Sequence, residues 1–178
     1  MDLKDHARFA LEHQRGFTEQ LLATFSTRDH WLFQTHPKAN HAMWVVGHLG
    51  LADNMFASKF REEVADKPAG WDELFWFGSE LQVGQSAYPA HEEVRAYFDD
   101  RRRTLLKVLE DLSDTELNAP GPPADARSPI AGAPCIGHLF LFAARHEGIH
   151  AGQLTVCHRG LGNDPLFTPQ PQQQPVGT

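Results

Sequence analysis

The stretch Gly137-His138-Leu139-Phe140-Leu141-Phe142-Ala143-Ala144-Arg145-His146-Glu147-Gly148-Ile149-His150-Ala151-Gly152-Gln153-Leu154 decides how the chain is read. Its apolar residues recur at helical spacing, with Leu139, Phe142, Ala143, His146, Ile149, His150 and Gln153 on one stripe. His146 and His150 stand four residues apart, one turn above each other, so both imidazoles reach a single metal ion. Two imidazoles aimed at a core need polar partners, and a metal satisfies both at once. Two architectures use this motif. In one, H-E-x-x-H is a zinc-protease helix with Glu147 as general base. In the other, the two histidines meet a third from a facing helix.

The rest of the chain favours the second. Three further segments carry helical periodicity: about Leu3 to Phe25, about His41 to Val64 with Asn40 as N-cap, and about Glu92 to Leu112. The fourth runs from about Ile136 to His158 and ends at Gly160 and Gly162. The stripe of the first is Phe9, Ala10, His13, Phe17, Leu21 and Phe25. No segment alternates as a strand does, and a protease would need a sheet to hold an extended substrate. The expected fold is therefore all-α, a four-helix bundle with long connections, spanning residues 1–162 as one domain. Residues 163–178, rich in Pro and Gln, read as a loosely attached tail.

Helix two repeats the anomaly. His48 sits mid-stripe among Trp44, Leu51, Ala52 and Met55. If helices two and four face each other, His48, His146 and His150 form a three-imidazole metal set with at least one position left for water or substrate, the mark of a catalytic site. Imidazole suits Zn(II), Ni(II) and other first-row ions. His41 is two turns from His48, too far to share the ion. Glu147 has two readings, a surface or interhelix carboxylate, or a general base or hydrogen-bond partner of a ligand histidine. Gln153 lies one turn beyond His150, and Arg101 interrupts the stripe of helix three.

Composition sets outer bounds. Sixteen Lys and Arg against 23 Asp and Glu give a net charge of −7, which argues against nucleic acid as the main partner and against an anionic membrane surface, both of which call for a basic footprint. No apolar run is long enough to span a bilayer, and the polar start Met1-Asp2-Leu3-Lys4-Asp5-His6 is no signal peptide, so a cytoplasmic protein is expected. Cys135 and Cys157 are read as lying in one helix, too far apart to pair. The segment from Asp66 to Pro89 carries Trp71, Phe75, Trp76 and Phe77, read as a cap on the bundle and a wall over the metal.

Asn40-His41-Ala42-Met43-Trp44-Val45-Val46-Gly47-His48-Leu49, followed about 100 residues later by His146-Glu147-Gly148-Ile149-His150-Ala151-Gly152-Gln153-Leu154, resembles the DinB/YfiT-like metalloenzyme superfamily. The resemblance covers residues from about 3 to 162. It implies a four-helix bundle, often dimeric, with a divalent metal on His48, His146 and His150. It also implies metal-dependent transferase chemistry, in some relatives with a low-molecular-weight thiol as cofactor, on a small-molecule substrate. Hydrolysis at the same metal is the companion expectation, and a non-catalytic metal-binding bundle the alternative. Gly148 and Gly152, four apart, clear a strip for close helix approach within the bundle or across a homodimer.

Overall fold

The computed structural model describes residues 2–82 and 87–167. Four long helices dominate: α1 (Leu3–Leu22), α3 (Ala42–Ser58), α5 (His91–Asp111) and α7 (His138–Gly160). Short helices α2 (Arg28–Trp31), α4 (Trp71–Phe75) and α6 (Asp114–Leu117), with a 3-10 turn at Glu62–Val64, lie in the connections. No strand occurs among the described residues; the one extended pairing is an isolated antiparallel bridge between Pro120 and Cys135. Among the same residues no helix is long and apolar enough to cross a membrane.

Local chemistry sets the helix ends. Asp2 starts α1 through a capping box: its carboxylate accepts from Asp5 N at 2.9 Å while Asp5 accepts from Asp2 N at 3.4 Å. His41, not Asn40, caps α3, its Nδ1 accepting from Trp44 N at 3.1 Å. Asn40 instead reaches α7 with its side chain. The second helix stops at Ser58, six residues short of the expected Val64, and the chain after it tightens into the 3-10 turn.

Side-chain pairings fix the helix directions. Leu3 lies by Gly137, Gln14 by Gly148 and Thr24 by His158, so α1 and α7 run parallel. Gly50 lies by Phe98 and Arg61 by Glu116, so α3 and α5 run parallel too. Phe60 stacks on Phe140 and Phe56 edges onto Phe142, which sets α3 antiparallel to α7. Arg8 pairs with Glu110 and Arg95 with Glu19, which sets α1 antiparallel to α5. Because α3 and α5 point the same way, the segment between them must return along roughly 25 Å of bundle, at about 1.5 Å per helical residue. On that return it lays α4 across α3. Gly47 allows this approach: a Cβ there would come 2.4 Å from the Phe75 ring.

The buried faces differ from the expected stripes. In α1 the inward residues are Ala7, Leu11, Arg15, Thr18, Leu21 and Leu22, whereas Phe9 is 60 % exposed and stacks on the exposed His13. Of the expected stripe, Leu21 and Phe25 are buried and Ala10 and Phe17 partly so, while only Phe9 and His13 face solvent. Helix α3 has no polar face, and nearly every residue from Ala42 to Ala57 is buried, as suits the central helix of a bundle. In α7, Ile149 points outward, and Cys135 lies ahead of the helix rather than in it. Both cysteines are free thiols. Gly148 faces the Gln14 side chain within the bundle, while a Cβ at Gly152 would meet open space. Of the expected tail, Phe167 stacks on Phe17 and Asp164 O accepts from His158, and residues 168–178 lie outside the described residues.

Two apolar clusters fill the bundle, one around Leu21, Trp44, Phe75, Phe98 and Leu154, the other around Leu11, Phe56, Leu105, Leu109 and Phe140. Between them lies a charged layer with one residue from each long helix: Arg15, Asp53, Arg102 and Glu147. All four are at most 7 % exposed. Arg102 grips Asp53 with two bonds, Nε at 2.8 Å and an NH2 at 3.1 Å, and also donates to Leu11 O at 3.0 Å. Arg15 donates to Glu147 Oε1 at 3.0 Å, to Asp53 at 3.2 Å and to Phe98 O at 3.1 Å, with its guanidinium 3.4 Å above the Phe98 ring. Glu147 Oε2 lies 2.5 Å from Arg102, outside good hydrogen-bond angles.

Two cations balance two anions here, so taking away one member strands the others in a dry core. Asp53→Ala is expected to lower unfolding free energy by about 3–5 kcal/mol in urea titrations. A loss below about 1 kcal/mol would show that the layer contributes little to holding the helices together.

Candidate metal centre

Helix α3 supplies His48 and α7 supplies His146 and His150. The antiparallel packing of these helices brings the three rings face to edge, with centroids 4.7–5.1 Å apart. His146 Nε2 lies 3.3 Å from His48 Nε2 and 3.2 Å from His150 Nε2. Among the described residues, these three form the cluster of His, Cys, Asp or Glu whose donor atoms could share one ion.

The outward nitrogens explain the convergence. His48 Nδ1 is 2.9 Å from Phe75 O, and a carbonyl can only accept, so Nδ1 carries the proton and Nε2 keeps its lone pair. His150 Nδ1 is 2.9 Å from Gln153 Oε1, which also accepts from Asn40 Nδ2 at 3.4 Å. That again leaves the lone pair on Nε2. His146 Nε2 faces both of these lone pairs, and a proton on it can satisfy only one of them, whereas a single ion serves all three nitrogens. Bonds of about 2.0–2.1 Å to a common ion place such nitrogens roughly 3–3.4 Å apart, so the set fits a divalent metal.

Burial keeps the rings neutral. It pulls His48 and His146 down to about 4, with the neighbouring imidazoles adding to the shift, and it lowers His150 as well. Neutral imidazole is the ligating form. Aromatic rings wall the site. Trp44 stacks on His48 at 4.7 Å and 9°, its indole N–H held by Ser79 Oγ at 2.8 Å. Trp76 lies 6.2 Å from His48, and Phe142 runs parallel to His146 at 5.9 Å. His48 and His150 are buried, whereas His146 is partly exposed, so solvent reaches the cluster from its side.

Other residues singled out from sequence fall elsewhere. Glu147 is wholly buried, and its carboxylate turns away from the rings toward Arg15 and Arg102. Burial by itself would raise its pKa, but the two guanidiniums outweigh it and hold the group below the ordinary carboxylate range. It is the interhelix carboxylate of the two readings offered by sequence. Gln153 orients a ligand ring. Arg101 is buried and donates to Val64 O at 2.9 Å, neither reaching solvent nor lining the rings. His41 caps α3 and meets the Tyr88 ring edge-on. Of the loop aromatics, Trp71 and Phe75 are buried and Phe77 is 86 % exposed.

Sequence reasoning missed the Phe75 carbonyl and the partners of Glu147. A backbone acceptor 27 residues from its histidine leaves no trace in composition. Arg15, Asp53 and Arg102 did leave one, since each is a charge at a helical position flanked one turn away by core residues.

No curated protein sequence matches the chain. A family model described as the DinB superfamily matches residues 10–154, a span that holds all four long helices in whole or large part and every one of His48, His146 and His150. The chain belongs to the DinB superfamily.

Proposed function

We propose that the protein is a divalent-metal-dependent enzyme acting on a small molecule, with the ion held by His48, His146 and His150. The observation that carries this reading is the convergence of three Nε2 atoms, with the His48 and His150 rings steered by carbonyl acceptors behind them. Such backing orients the ring and raises its basicity as a ligand. Zn(II) and Ni(II) are the ions best suited to three neutral imidazoles among those expected. Asp53 and Glu147, the nearest buried carboxylates, are committed to arginines, so a fourth position is left for water or substrate.

A bound divalent ion supplies Lewis acidity, enough to ionise a coordinated water or thiol near neutral pH. The chain's own residues do the rest. His48 and His150 are held in one tautomer by Phe75 O and Gln153. Glu147 is a positioning residue: its ion pairs fix the rotation of α7, and with it the direction of His146 and His150. Trp44, Trp76 and Phe142 exclude water from the flanks of the rings. Of the two reactions open to such a site, S-transfer with a low-molecular-weight thiol comes first, because family relatives use it, and hydrolysis second.

The protein purified without a His-tag is expected to carry about one divalent ion per chain by plasma mass spectrometry. His48→Ala and His146→Ala should weaken binding to a similar degree. Metal on fewer than about a tenth of chains after reconstitution with zinc or nickel would end the proposal.

Thiol use has its own signature. Cobalt-substituted protein given 2-mercaptoethanol should develop a sulfur-to-metal charge-transfer band in the near ultraviolet, because a coordinated thiol loses its proton. His150→Ala should abolish it. An unchanged spectrum in cobalt-loaded protein would turn the reading to hydrolysis.

A homodimer is also proposed, formed through the parallel pair α1 and α7. Phe9, Ile149 and Val156 are 55–60 % exposed there, and no side chain lies within 4 Å of a Cβ placed at Gly16 or Gly152, so a second copy can approach closely. Light scattering at micromolar concentration should give twice 20.0 kDa, falling to one chain mass in Ile149→Glu. A wild-type monomer would refute it.

A further inference from the structure

The face of α7 that carries the metal ligands continues past them. His138, Phe142, His146 and His150 follow at intervals of four and form one row along the helix. Beside the first half of this row lies a cavity of about 360 Å³. One wall is His138, Leu141, Phe142 and Arg145, and the other is the segment 129–133. The volume falls within the range of small-molecule sites.

That second wall is built rather than loose. Gly132 N donates to Pro122 O at 3.0 Å and Ala133 N to Ile130 O at 2.9 Å, and the bridge between Pro120 and Cys135 closes the loop at its base. Gly121 lets the two arms of the loop touch, since a Cβ there would come 2.1 Å from Ala133 O.

The lining is apolar with two polar groups. Arg145 is exposed, holds its guanidinium 4.9 Å from the Phe142 ring centre, and has no carboxylate partner among the described residues. In a chain with 23 acidic residues and a net charge of −7, a cation left without an anion beside a cavity points to an anion from outside. The second group is His138. Its Nδ1 is engaged by Cys135, 3.2 Å from the carbonyl and 3.1 Å from Sγ, so Nε2 is the ring atom left for a ligand. Phe142 joins cavity to cluster, its ring lying 14° from parallel with His146.

We infer that this cavity seats the substrate, and that the substrate class is a small monocarboxylate with a flat apolar body. The body lies against Leu141, Ile130 and the Phe142 ring, and the carboxylate takes the Arg145 fork in two parallel bonds. Arg145 immediately precedes His146 in α7, so the anchored carboxylate is the end nearer the histidine cluster, and Phe142 stands between the body and His146. The inference rests on the proposed metal enzyme for the word substrate, while the cavity itself needs no ion to bind.

The test uses 2-naphthoate as probe, followed by its fluorescence and proton spectrum, with metal-free and cobalt-loaded protein measured separately. Wild-type protein should bind it at about 1 mM or tighter in both forms. Arg145→Ala should weaken binding about tenfold or more, while binding of uncharged 2-naphthalenemethanol should change little. Ala131→Trp, at an exposed position of the cavity wall, should block both probes. In the cobalt form the naphthoate protons should broaden strongly. Absence of binding overturns the inference, as does binding that neither variant alters, or binding in cobalt-loaded protein without broadening. Arg145-dependent binding in a chain that takes up no metal supports the cavity and removes the metal enzyme instead.

Discussion

Arg15, Asp53, Arg102 and Glu147 bring two positive and two negative charges out of water at one level of the bundle, one from each long helix. A purely apolar core would let the four helices slide and rotate at modest cost, because hydrophobic contact has no direction. Charges without water do have direction. Arg102 meets Asp53 and Arg15 meets Glu147 in hydrogen-bond geometry, and the backbone carbonyls of Leu11 and Phe98 take further donors. The layer therefore sets the register of all four helices at once.

The histidine cluster borrows that register. Glu147 sits between His146 and His150 in sequence, about 100° around the helix from His146. Once its carboxylate is locked inward, the two imidazoles are aimed at α3, where His48 stands five residues before the locked Asp53. The covering of the site has a different cause. Parallel α3 and α5 force a long return, and the return carries Phe75 and Trp76 over the end of His48. Topology supplies the lid, and ionic pairing supplies the aim.

Much of this was legible in the residues. Four long periodic segments announce an all-helical bundle, and histidines on apolar stripes of two of them announce the histidine cluster, since a buried imidazole needs a reason. What was not legible has physical causes. The α1 stripe was drawn through Phe9 and His13, which face solvent, because periodicity alone cannot separate two faces when one is marked by Arg15 and Thr18 and the other by aromatic rings. Sequence leaves Glu147 between two roles because its partners lie 132 and 45 residues away, on α1 and α5. The cap of α3 moved from Asn40 to His41, a residue type that seldom serves there but whose neutral Nδ1 accepts as a hydroxyl or carboxylate would.

The acceptors behind the two steered histidines differ in one respect. That of His150 is the side chain of Gln153, and that of His48 is the main chain of Phe75. A carbonyl of the main chain survives any replacement at its own position, provided the chain path is kept. His48 is thus inherited with a fixed proton whatever side chain drifts into place 75, whereas His150 has a proton that a single codon change at 153 can release. One histidine is the constant of this site, and the other is the dial through which descendants of the same fold can retune how basic the cluster is.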